Sequence, residues 1–284
     1  MKYREVAPHP QLRKHIKCFW SLEHDYSNSL HDHEHLWADA HTELIFTSGQ
    51  RYSRKVHGRT VVIPATFVVG PFQNELQLLC KGRIALAAAR FWPWGFHALS
   101  RVPMKDLKNT VSSGRLALGG AFESLDRAMA HERSSDAKLA KLEQGLLTVL
   151  AALPRPKLLS RPIAMEVLET RGATRISALQ RNHRIQARRL QRIFLEELGV
   201  TAKVLSRIVR FNHVKSLIER NPDIDLLKLA YECGYADQPH FTRNFRELFG
   251  RTPANYKALM KQAARPFNEQ RDVVFLQDEA AQPG

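Results

Sequence analysis

The feature that most constrains this chain is a layout that occurs twice: a short amphipathic helix, a tight turn, and a longer helix closed by glycine. The clearer copy runs from Leu226 to Tyr256, LLKLAYECGYADQPHFTRNFRELFGRTPANY. Leu226, Leu229, Ala230 and Cys233 fall at i, i+3, i+4 and i+7, one face of a helix. Gly234 stands where the turn needs left-handed backbone. Asp237 can cap a second helix whose apolar face is Phe241, Phe245, Leu248 and Phe249. Gly250 ends that helix, and Thr252-Pro253 supplies the cap and first residue of a third. The spacing predicts a helix-turn-helix. A helical hairpin that only packs is the other reading of this stretch taken alone.

The second copy lies upstream. Ile176 to Gln180 forms a short helix, His183-Arg184 a connection, and QARRLQRIFLEELG a longer helix with Leu190, Ile193, Phe194 and Leu198 on its buried face. The endings RIFLEELGVTA and RNFRELFGRTPA align Arg192 with Arg243, Phe194 with Phe245 and Gly199 with Gly250. Between the copies, Val204 to Glu219 predicts a linker helix opened by Thr201. Two such units enter consecutive major grooves about 34 Å apart along DNA. The linker helix spans roughly 24 Å at about 1.5 Å per residue, which with the flanking bundles suits that separation.

From about Pro162 to Ala263 these residues resemble the AraC/XylS family of transcription regulators. The resemblance rests on Leu190-Gln191-Arg192-Ile193-Phe194, on the pattern from Ala230 to Phe245, and on the closing Gly250 to Tyr256. It departs from the family pattern at Gln180, where alanine is usual and where looser packing of the first unit is expected, and at Thr201-Ala202 in place of Ser-Pro. A second resemblance, to the β-rich sensor-type domain of one family branch, rests on Pro8-His9-Pro10-Gln11-Leu12, Phe19 to Leu22, His41 to Phe46 and Arg90 to Gly95.

Major-groove chemistry favours Arg on guanine and Gln on adenine. The candidate base readers are therefore Arg188, Gln191 and Arg192 in the first unit and Gln238, His240 and Arg243 in the second. Arg184, Thr242 and Arg246 are expected nearer the DNA backbone. Lys203, Arg207, Arg210 and Lys215 on the linker helix could touch phosphate, although a solvated charged face explains them equally well. Charge agrees with a polyanionic partner: 43 Lys+Arg against 28 Asp+Glu give a formal net charge of +15. The segment from Pro156 to Arg265 carries about twice as many basic as acidic residues and holds most of that excess.

The expected architecture is α+β. Residues 1–153 form a β-rich, barrel-like effector or interaction domain with following helices, 154–161 a linker, 162–263 the double helix-turn-helix, and 264–284 a frayed tail. Leu44 to Phe46, Thr60 to Ile63, Thr66 to Val69, Leu76 to Leu79 and Ala85 to Phe91 read as strands. From Leu107 to Leu153 the texture is helical, with Leu118, Phe122 and Leu125 on one face and Leu139, Leu142, Leu146, Leu147 and Leu150 on another.

His31, His33 and His35 on a strand would share one side and suggest a metal site, with a polar loop as the alternative. Trp92 and Trp94 suit either a ligand pocket or core packing. No nucleotide loop, nucleophile elbow or convincing carboxylate pair is present, so neither an enzyme, a cofactor nor a metal is expected. With three scattered cysteines, no apolar leader and no run of 18 apolar residues, a reduced, cytoplasmic protein is expected.

The function these readings imply is sequence-specific regulation of transcription on double-stranded DNA. Control by a small-molecule effector or by homodimerisation fits the N-terminal part, and RNA polymerase is a further candidate partner. Two alternatives stand beside it: a metal- or ligand-binding β-barrel enzyme fused to a DNA-binding domain, and a constitutive DNA-binding protein.

Overall fold

The computed structural model describes residues 2–27, 33–115, 123–130, 132, 134–154 and 157–263. Among the described residues ten strands come first: β1 Lys2–Val6, β2 Ile16–Asp25, β3 His33–Leu36, β4 Thr42–Gly49, β5 Ser53–Val56, β6 Arg59–Val62, β7 Thr66–Val69, β8 Leu76–Leu79, β9 Arg83–Phe91 and β10 Val111–Ser113. They form two antiparallel sheets, one ordered β1-β2-β9-β4-β7-β10 and the other β3-β8-β5-β6. No ladder joins the sheets among the described residues, so the β-rich domain is a pair of open sheets and not a closed barrel.

The period of two along β9 explains how the layers stack. Ile84, Leu86 and Ala88 face a core with Trp20, Phe67, Leu78 and Cys80 between the sheets. Ala87, Ala89 and Phe91 face the opposite way, onto a core roofed by α1 (Gly95–Ser100), α2 (Glu123–Ala130) and α3 (Ser135–Ala152). Strands buried on both faces lose the apolar–polar alternation, and Ile84 to Ala89 of β9 reads as a continuous apolar run for that reason. The helical texture expected from Leu107 is corrected at β10, where β-branched Val111 opens an edge strand pairing with Val69. Leu118 and Phe122 lie outside the described residues, as do His31, Pro156 within the linker, and the tail.

Beyond the linker come α4 (Arg161–Glu169), α5 (Ile176–Asn182), α6 (Ala187–Leu198), α7 (Ala202–Arg220), α8 (Leu226–Glu232), α9 (Gln238–Phe249) and α10 (Pro253–Ala263). At 19 residues α7 is three longer than its expected span, close to 28 Å at about 1.5 Å per residue. Their apolar core gathers Leu190, Phe194, Leu205, Phe211, Phe245 and Tyr256, and it extends past the linker into the N-terminal part. Ala38, Ala40, Trp92 and Trp94 of the N-terminal part belong to the same cluster. The two indoles stack at 6.0 Å and donate to the backbone carbonyls of Arg13 and Lys14, which places them in packing where the two parts meet. No helix among the described residues is long and apolar enough to cross a membrane.

Candidate nucleic-acid interface

The two units close their turns with the same bonds. In the first, the amides of His183, Arg184 and Ile185 donate to the carbonyls of Leu179, Arg181 and Gln180. In the second, Cys233, Gly234 and Tyr235 donate to Leu229, Tyr231 and Ala230. Gln180, half-buried where its counterpart Ala230 is buried, therefore accepts the closing bond at 3.0 Å just as Ala230 does. The substitution changes exposure and leaves the turn intact. Arg184 takes the place of Gly234 and adopts its left-handed backbone, φ 48° against 75°. A side chain pays a conformational cost there of about 1–2 kcal/mol that glycine avoids.

Caps then start the longer helices. The Asp237 carboxylate accepts from the His240 amide at 2.7 Å, opening α9. Gly199 and Gly250, both left-handed, stop α6 and α9. Thr201 accepts from the Val204 amide to open α7, and Thr252 from Asn255 to open α10. Asp225 caps α8 through the amides of Leu227 and Lys228. The Tyr256 ring packs at 4.7 Å on Phe249 and its hydroxyl bonds Glu219, tying α10 to the linker helix.

With Leu190, Ile193, Phe194 and Leu198 buried, the first unit presents Arg184, Arg188, Arg189, Gln191 and Arg192 to solvent. In the second, Phe241, Phe245, Leu248 and Phe249 are buried. Gln238, Thr242, Arg243 and Arg246 border a shallow groove of about 590 Å³ with Pro239 and Glu247. His240 is half-buried and packs edge-on to the Tyr235 ring at 5.5 Å. It faces a second cleft, which Arg243 also borders, between α9 and the linker helix. Of the linker cations, Lys215 is corrected: it is buried at 3% exposure, 3.5 Å from Glu219, out of reach of any phosphate.

Three features escaped the sequence reading. Glu197, buried in α6, accepts from the amides of Leu159 and Ser160 and from the Ser160 hydroxyl at 2.5 Å, fastening the linker to the first unit. The end of α6 meets the N-terminal part at Met104, and Lys105 pairs with Glu196 at 3.3 Å. The end of α9 meets it through Trp37, whose ring lies 4.1 Å from that of Phe249. Contacts of this kind join residues far apart in the chain and leave no periodic signal.

In the histidine run, His35 pairs with Glu75 and stacks on Trp37. The inward residue is Glu34, bonded by the hydroxyls of Tyr26 and Tyr52, with its carboxyl raised above the usual range by burial. Among the described residues no group of three or more His, Cys, Asp or Glu is placed to hold a metal ion.

Residues 181–258 match a family described as a helix-turn-helix domain, and residues 4–113 match a domain of unknown function, DUF6597. The HTH-type transcriptional regulator GlxA of Rhizobium meliloti (strain 1021) is 29% identical over 102 residues, which is 36% of this chain and 31% of that protein. The chain thus spans about a third of the length of this curated relative. Among solved structures, ToxT from Vibrio cholerae is 13% identical over 85% of this chain and 98% of its own, with a TM-score of 0.46. The AraC-like transcriptional activator CuxR is 16% identical over 71% and 74%, with a TM-score of 0.21. The doubled turn, the paired glycine stops and the family match lead to one conclusion: residues 181–258 form a helix-turn-helix domain, similar to that of the transcriptional regulator GlxA.

Proposed function

We propose that this protein binds double-stranded DNA sequence-specifically through both helix-turn-helix units and regulates transcription from such sites. The observation that carries the reading is the pair of turns closed by identical backbone bonds, each followed by a helix with a buried apolar face and an exposed basic one. Arg188, Gln191 and Arg192 are assigned to bases in one half-site, and Gln238, His240 and Arg243 in the other. Arg184, Thr242 and Arg246 are assigned to the backbone, since phosphate contacts set register while base edges set sequence.

The N-terminal domain is proposed to receive the controlling signal, a small molecule or a second copy of the chain, with RNA polymerase as the downstream partner. Its contacts with the ends of α6 and α9 support this, because a change in the sheets would reach both units. Selection of bound fragments from a random duplex library, followed by sequencing, tests the reading. The expected result is a bipartite site with half-sites about 10 bp apart. Enrichment of no sequence, or of a single half-site, would overturn it. A thermal-shift screen of small molecules tests the effector, since a ligand of the native state raises Tm.

A further inference from the structure

We propose that the cleft between the linker helix and the second outward-facing helix holds a DNA backbone phosphate, and that Glu247 stands in for that anion in the free protein. The proposal rests on the DNA-binding reading and adds to it a contact that carries no sequence information.

The cleft has a volume of about 350 Å³. Lys203, Arg207 and Arg210 line it from α7 at i, i+4 and i+7, Arg175 from the segment before α5, and Arg243 from α9. Those are five permanent cations converging from three elements, and Glu247 is the carboxylate among the lining residues. Glu247 pairs with Arg207. Arg210 is held rigidly: one terminal nitrogen donates to the Gly172 carbonyl at 2.6 Å, the other to Gly234 at 3.3 Å, and the guanidinium lies 5.3 Å over the Tyr235 ring. One carboxylate cannot neutralise five cations.

An anion with several acceptor oxygens offsets that excess of positive charge. A phosphate suits the site because its acceptor oxygens point in several directions, as these donors do around a concave volume. Arg243 supplies continuity, since it borders both this cleft and the outer groove beside Gln238, Thr242 and Arg246. A phosphate in the cleft would thus flank the second half-site.

The test uses the full chain with two duplexes of equal length, one carrying the selected site and one unrelated, titrated by fluorescence anisotropy across a salt series. Lys203 is exposed, so Lys203→Gln leaves the fold intact, as circular dichroism would verify. It is expected to weaken binding to both duplexes by the same factor, about five-fold near physiological salt, and to lower the slope of log K against log salt by about one. Glu247→Gln is expected to tighten both. An unchanged slope with Lys203→Gln overturns the cleft assignment, as does a change in the preferred sequence with the slope intact. Failure of the unaltered chain to bind either duplex at low salt overturns the DNA reading itself, and the cleft with it.

Discussion

Gly199, Gly234 and Gly250 form a built-in experiment on how the two parts of the chain dock. All three are left-handed, with φ of 75°, 75° and 78°. Alanine at each carries the same backbone penalty of about 1–2 kcal/mol. The surroundings differ. A Cβ on Gly234 meets nothing within 4 Å, so Gly234→Ala should show the backbone penalty alone. On Gly250 the nearest atom is a Glu75 carboxylate oxygen at 3.3 Å, the end of a side chain that can turn away. On Gly199 the added atom falls 2.5 Å from the Met104 carbonyl oxygen and 3.0 Å from its carbon, both fixed backbone. Overpacking of that kind adds about 1–3 kcal/mol. Gly199→Ala should therefore destabilise by about 2–5 kcal/mol, against about 1–2 for the other two. Urea unfolding followed by far-UV circular dichroism measures the three values. Equal losses within about 0.5 kcal/mol would refute the reasoning, because they would mean that Met104 does not rest on Gly199 in solution.

Arg243→Ala should weaken binding to the selected site by about 1–3 kcal/mol and relax selectivity at one base position, read by repeating the selection; an unchanged profile removes the assignment. Arg184→Gly should leave the fold at least as stable, since it frees a left-handed side chain, while weakening binding to all DNA alike in a titration against unrelated duplex. His15 lies half-buried, and its loss of solvent together with the Arg161 guanidinium pushes its imidazole down to about 4. A base with a depressed pKa leaves the unfolded chain binding more protons between about 6.5 and 4, so stability falls as pH falls through that window. His15→Gln should reduce that loss when urea midpoints at about pH 7.5 and about pH 5 are compared. Glu197→Gln removes the charge from bonds to Ser160 and Leu159, and about 1.5–3 kcal/mol of stability with it. Faster proteolytic cleavage at residues 157–160 would report the loosened linker.

What the sequence disclosed was whatever local chemistry determines. Caps at Thr201 and Asp237, stops at Gly199 and Gly250, and the 3.6-residue apolar faces of α6 and α9 act within a turn or two of chain, and each is where residue type and spacing put it. Strands β7 and β8 were legible as apolar runs between turn residues. Strand β1 was not, because it is a mostly exposed edge with little apolar pattern. Glu34 was hidden among histidines that drew the eye as ligands, although strand alternation turns it inward, on the side opposite His35. Glu197 sits beside Glu196 in one helix, and only the arrival of Ser160 from another segment tells their roles apart. The basic cleft was the least legible part: Arg175, Lys203 and Arg243 are far apart in sequence, and only the path of the linker helix gathers them.

The docking of the N-terminal domain on the far ends of both outward-facing helices has a thermodynamic consequence. Contacts at Met104 and Trp37 remove the freedom of one unit to swing against the other before DNA arrives. Two loosely tethered units would lose that freedom on binding, and the loss would be subtracted from affinity. Here it is settled when the chain folds, so encounter with DNA is governed by diffusion and charge more than by a search for the right mutual orientation. A signal that undocks the N-terminal domain could then lower affinity through motional entropy alone, with every side chain that meets DNA left as it was.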